Sequence, residues 1–106
     1  MDNKAAQTQN NLEELYGAMQ TLRGKTELQA FLADLCTPGE LEALAERWQI
    51  ACLLNEERHS YRDISALTGA STTTIGRVAR FLNQEPHEGY KIALSRMKKT
   101  NKKTNK

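Results

Sequence analysis

Aromatic residues make up only 6% of this 106-residue chain, and no apolar run approaches the length of a membrane span. A small core and no membrane anchor are expected. The opening MDNKAAQTQNN is polar and lacks the hydrophobic segment of a secretory signal, so a cytoplasmic protein is expected. Cys36 and Cys52 stand at no metal-ligand spacing and fall within helical apolar patterns, which suits free, buried thiols of a cytosolic protein. His59 and His87 have no partner at ligand or triad spacing. With no nucleophile elbow, phosphate loop, paired carboxylates or zinc spacing, no metal site and no enzyme is expected.

What the chain does have is a lopsided charge. Its net charge is +2, but residues 1–57 carry four bases against ten acids, a net −6, and residues 58–106 carry eleven against three, a net +8. Such a layout suits a protein that offers one end to a polyphosphate and keeps the other away from it. Arg58, Arg62, Arg77 and Arg80 extend the positive half well beyond the basic C-terminal stretch.

Three of those arginines lie within residues 60–83, SYRDISALTGASTTTIGRVARFLN, which read as two short helices joined by a tight corner. Ser60 with Asp63 makes a capping box, and Ile64 and Leu67 supply a buried side. Gly69 then ends the helix in a left-handed conformation. Ser71 caps a second helix whose Ile75, Val78, Ala79 and Leu82 recur at i, i+3, i+4 and i+7. Its other face carries Thr72, Thr73, Gly76, Arg77, Arg80 and Gln84, which offer little to a core. This is the pattern of a helix-turn-helix. The first amides of the second helix have no intrahelical acceptor and suit phosphate. Threonines are small enough to let a helix sit deep in a major groove of double-stranded DNA. The alternative is a plain helical hairpin with a solvated face.

Before the motif, residues 1–9 are expected to be disordered. A first helix is predicted from about Asn10 to Leu22 on the stripe Leu12, Leu15, Tyr16, Met19 and Leu22. Gly24 interrupts it, and Thr26 with Gln29 suggests a second start, with Leu28, Phe31, Leu32 and Leu35 as its apolar side. Thr37-Pro38-Gly39-Glu40 is a stronger signal: a capping threonine, proline at the first helical position and a closing glutamate. The helix from Pro38 to about Glu56 is apolar over much of its girth, which a monomer with two short preceding helices would struggle to cover, so a dimer with interleaved helices is expected. After a break at residues 84–89, Tyr90, Ala93, Leu94 and Met97 mark a last short helix. The stretch 98–106 is expected to be a flexible basic tail. The predicted layout is thus dimerisation helices at 10–36 and a DNA-binding core at 37–97.

From about Leu35 to Lys98 the chain resembles the Trp repressor family, and within it most closely the YerC-like branch of related regulators. The resemblance rests on TPGELEALAERWQI, SYRDISALTGA and TTTIGR, together with LCT, TGAST and the closing tyrosine-to-arginine segment. It implies an all-α, six-helix protomer in an intertwined homodimer. Two recognition helices would enter successive major grooves of a palindrome about 34 Å apart. Thr72, Thr73 and Gly76 become the groove-facing residues, Arg62 and Ser65 lie near phosphates or adjoining bases, and Arg80 is a further contact from its outward placement.

Members that bind tryptophan hold the indole between two arginines, which correspond to Arg47 and Arg77. Beside the second of these they have glycine where this chain has Val78. One turn along they have serine where it has Phe81. The branched valine intrudes on the ring's path, and Phe81 is expected to fill the pocket in place of a ligand. Pairing of the two arginines with Glu40, Glu46 or Asp63 is the structural alternative. Glu57 stands where relatives commonly place glycine. The reading is a dimeric, sequence-specific DNA-binding transcriptional regulator that represses from a palindromic operator and needs no cofactor. The alternatives are a repressor under L-tryptophan control and a protein-interaction module on the same scaffold.

Overall fold

The computed structural model describes residues 3–104, with side chains described over residues 3–97. Six helices and no strand occur among them: α1 (Lys4–Gln20), α2 (Gly24–Leu35), α3 (Pro38–Asn55), α4 (Tyr61–Thr68), α5 (Thr72–Asn83) and α6 (Gly89–Thr104). None is long and apolar enough to cross a membrane. The chain divides into two compact units between Leu41 and Glu42, slightly later than the boundary expected at Cys36.

The first unit holds α1, α2 and the opening of α3. α1 starts at Lys4, so residues 4–9, expected to be disordered, are helical; nothing in that polar stretch breaks a helix. α2 starts at Gly24 with Arg23 as its cap, not at Thr26. The Glu27 carboxylate reaches back to accept from the Arg23 amide at 2.8 Å, which fixes the start a turn earlier than Thr26 and Gln29 suggest. Gly24 turns the corner at φ +83°, a conformation open to glycine at no steric cost. The Thr37 box forms as predicted: Glu40 N–H donates to Thr37 Oγ1 at 3.1 Å and Thr37 N–H donates to Glu40 Oε1 at 2.8 Å. No residue of α1 or α2 is buried. Tyr16 is 53% exposed and Leu35 52%, and Leu12, Met19 and Leu28 are exposed as well.

The second unit has a closed core. Ile50 and Ala51 of α3, Ile64 of α4, Ala70 of the corner and Ile75 and Val78 of α5 are buried together. Trp48, Leu53, Leu54 and Tyr90 pack against them. Leu82 and Leu94 are buried too. Trp48 and Tyr90 stack with ring centroids 6.4 Å apart, which joins α3 to α6. Leu67, expected on the buried side of α4, is 60% exposed. Of the eight residues of α4 only Ile64 is buried, so this short helix meets the core along a strip too narrow to cover a second apolar position. Cys36 and Cys52 are free, as expected, but partly exposed where burial was expected. Partial burial and the Glu56 charge push the Cys52 thiol up from its ordinary pKa, so it is a poor nucleophile. α6 continues past Met97, where the last helix was expected to stop, because no glycine or proline follows to end it. The expectation of a flexible tail at 98–106 otherwise lies outside the residues whose side chains are described.

Glu57 explains a point the sequence left open. It takes φ +58°, as Glu88 takes +65° ahead of α6. A left-handed residue joins α3 to the motif, a conformation that glycine reaches freely and that Glu57 adopts here.

Candidate nucleic-acid interface

Local chemistry fixes where α4 and α5 begin and how they meet. Ser60 Oγ accepts from the Asp63 amide at 3.0 Å while Asp63 Oδ2 accepts from the Ser60 amide at 3.1 Å, closing the box at α4. Gly69 ends that helix at φ +81°. Inside the corner, Thr68 Oγ1 donates to the Ile64 carbonyl and accepts from the Ala70 amide. Ser65 Oγ donates to the Ala70 carbonyl at 2.7 Å. Ser71 then caps α5, its Oγ accepting from the Thr74 amide at 3.1 Å. The Ser65 and Thr68 hydroxyls thus tie the backbone of Ala70 to α4, and Ser71 gives the Thr74 amide at the start of α5 an acceptor.

α5 presents two distinct faces. Ile75, Val78 and Leu82 are buried, and Thr72, Thr73 and Arg80 are exposed. With 3.6 residues per turn, Thr72, Thr73, Gly76 and Arg80 fall within an arc of roughly 100°. A side chain built at Gly76 would meet nothing within 4 Å, so the bare backbone there faces open space. The first turn carries no acid, and the amides of Thr72 and Thr73 precede the first intrahelical acceptor. The exposed start of α5 therefore offers uncompensated donors and the positive end of the helix dipole. Arg62 is exposed on α4. Ser65 is half-buried with its proton committed to Ala70, so it holds the corner from within.

Behind α5 lies a cleft of about 350 Å³ lined by Arg47, Arg77, Val78, Phe81, His87, Gly89 and Tyr90. Phe81 makes ring contacts there with Arg77 and His87. The Arg77 guanidinium carbon lies 4.4 Å from its ring centroid, and the His87 ring stacks at 5.8 Å with planes 13° apart. Neither Arg47 nor Arg77 forms an ion pair with an acid among the described residues, so the expected alternative of pairing with Glu40, Glu46 or Asp63 is not what the structure contains. Arg80 Nε donates to Glu85 Oε2 at 2.9 Å. At the entry to α4, His59 Nε2 lies 2.8 Å from Glu56 Oε1, which also accepts from Arg58 at 3.1 Å. The His59 bond, then the Arg58 bond, hold Glu56 below the usual carboxylate range.

The family model for the Trp repressor protein matches residues 10–98. The chain belongs to the Trp repressor family. It is 40% identical over 89 residues to the uncharacterized protein YerC of Bacillus subtilis (strain 168), which covers 84% of each chain. Among solved structures it is similar to a TrpR-like protein from Eubacterium eligens ATCC 27750, with a TM-score of 0.75 and 39% identity over 83% of this chain and 89% of that one. A candidate Trp repressor from Staphylococcus aureus matches at a TM-score of 0.75 and 37% identity, over 84% and 87% of the two chains. The Trp repressor match reaches back to residue 10, so it takes in most of α1 and all of α2, upstream of the resemblance that begins near Leu35.

Two members of the site are not visible in the sequence. His87 has no spacing that marks it as a ring partner of Phe81, and Glu85 follows Arg80 at i+5, outside the helical pair spacings. Both lie in the turn that follows Asn83, just beyond the end of α5. The one available signal is the run of charge and imidazole between two helix predictions, at Glu85, His87 and Glu88.

Proposed function

We propose that this protein is a DNA-binding transcription regulator that works as a homodimer and represses by occupying a palindromic operator. The observation that carries the proposal is the outward face of α5: a capped, acid-free first turn, two exposed threonines and a glycine open to approach. Thr72, Thr73, Gly76 and Arg80 face the major groove, and Arg62 meets phosphate. Ser65 acts from inside the corner. The second copy covers the apolar stripes of α1 and α2, which have no buried residue in the single chain. Palindromic half-sites follow from that two-fold symmetry.

L-tryptophan control is the lesser reading because the Phe81 ring already lies against the Arg77 guanidinium. Calorimetric titration of L-tryptophan into the purified protein is expected to give no heat. Saturable heat would move the protein to the corepressor-dependent class.

DNA binding is tested by fluorescence anisotropy of labelled duplexes against salt. Each neutralised phosphate adds about 0.9 to the slope of log affinity against log salt, so a steep linear fall is expected. Indifference to duplexes in dilute buffer would favour a protein-interaction module on the same scaffold.

A further inference from the structure

Arg80 is held on the exposed face of α5 by Glu85, beyond the motif, and by Phe81 within it. Its Nε is committed to Glu85 Oε2 at 2.9 Å, and its guanidinium carbon stands 5.4 Å from the Phe81 ring centroid. The other Glu85 oxygen lies 3.7 Å from His87 Nε2, and that imidazole stacks on the Phe81 ring. Four side chains therefore close a ring of contacts around the C-terminal end of α5. An exposed arginine ordinarily spends its rotamer freedom when it binds. Here the first bond is made in the free protein. Of the five guanidinium N–H groups only the one on Nε is used by Glu85, which leaves the planar pair of terminal nitrogens available on a side chain that is 59% exposed.

We propose that Glu85 is a positioning residue that sets base specificity by aiming Arg80 at an adjacent pair of acceptors on a base edge, the N7 and O6 of a guanine. This rests on the DNA-reading proposal. A base edge, unlike a phosphate, rewards a guanidinium whose plane is fixed beforehand. A carboxylate beside the arginine also repels phosphates, so a residue meant only to add backbone affinity gains nothing from it. Arg80 lies two turns along α5 from Thr72 on the same face, which gives it a base position separate from that of the threonines.

The test compares the full chain with Arg80→Ala, Glu85→Ala, Glu85→Gln and the double alanine variant, on a duplex obtained by selection from random sequence and on single-base variants of it. Arg80→Ala is expected to lose discrimination at one base position on the order of ten- to a hundredfold. Glu85→Ala loses much of the same discrimination at the same position with its salt slope unchanged, and the double variant does no worse than Arg80→Ala alone. Glu85→Gln keeps an acceptor for Nε and retains the preference. Tighter binding of Glu85→Ala to every duplex, with base preference intact, would show that Glu85 only repels phosphate and would overturn the assignment. Unchanged discrimination in Glu85→Ala would overturn it too. If the unmodified protein prefers a sequence and Glu85→Ala does not disturb that preference, this assignment alone fails; if the unmodified protein binds no duplex, the DNA-reading proposal fails and takes this one with it.

Discussion

The two units of this chain use the same kind of helix for different ends. α1 and α2 carry apolar stripes at helical spacing and bury none of their residues, whereas α3 to α6 close around Ile50, Ile64, Ile75 and Val78. Apolar periodicity therefore specifies a helix in both but a self-sufficient core in only one. Charge divides later, between α3 and α4 within the second unit, acidic up to residue 57 and basic from residue 58. The contrast supports a division of labour in which the first unit meets a second copy and the second carries the reader, as the proposed function requires.

The sharpest way to break this contrast is to remove apolar volume from each side. Ile75→Ala is expected to cost about 2–5 kcal/mol, since the side chain is fully buried and its cavity cannot readily collapse. Urea denaturation followed by circular dichroism measures it. A loss of that size is a large share of the stability of a small domain. Tyr16→Lys changes a side chain that is 53% exposed in the single chain and is expected to leave helix content intact. It should instead weaken self-association at least tenfold, on the order of 1.4 kcal/mol, by sedimentation equilibrium. An unfolded Tyr16→Lys protein, or one with unchanged association, would undo the assignment of the first unit to a partner.

Gly76→Ala divides folding from reading within the second unit. The substitution gains helix propensity of about 1 kcal/mol and meets no neighbour, so the midpoint of unfolding should rise. Affinity for a selected duplex should fall, because the methyl group stands where the groove floor must approach. A gain in both would mean that the open face of α5 is simply solvated.

The smallest effect lies at the junction into α4. Folding lowers the pKa of Glu56, chiefly through the hydrogen bond from His59 and then that from Arg58. A carboxyl with a folded pKa below its unfolded one contributes above the unfolded value, and the contribution is lost as pH falls through the folded value. Glu56→Gln should therefore flatten the acid limb of stability slightly and leave neutral pH behaviour nearly unchanged. A denaturation series between neutral and acid pH checks the sign.

Much of the fold is legible in the sequence because its helix starts are local chemistry. Thr37 with Glu40 and Ser60 with Asp63 close boxes between residues three apart, and Gly69 ends α4 where a left-handed residue is required. The start of α2 is less legible because Arg23 has no capping side chain and Glu27 acts from four residues away. The exposed face of α5 follows from its period. Its supports do not: Glu85 and His87 lie in the turn beyond α5, where the helical period no longer applies, so no periodic pattern announces them. Ser65 shows the converse limit. A hydroxyl on the helix before the corner looks available to phosphate, and its bond to Ala70 is a tertiary fact.

The most direct measurement is selection of duplexes from random sequence by the purified protein. The expected product is an inverted repeat whose half-site centres lie about 10 base pairs apart, close to one helical turn, as a symmetric pair of α5 helices requires. Recovery of a lone, unrepeated site, or of no enriched sequence at all, would contradict the paired reader.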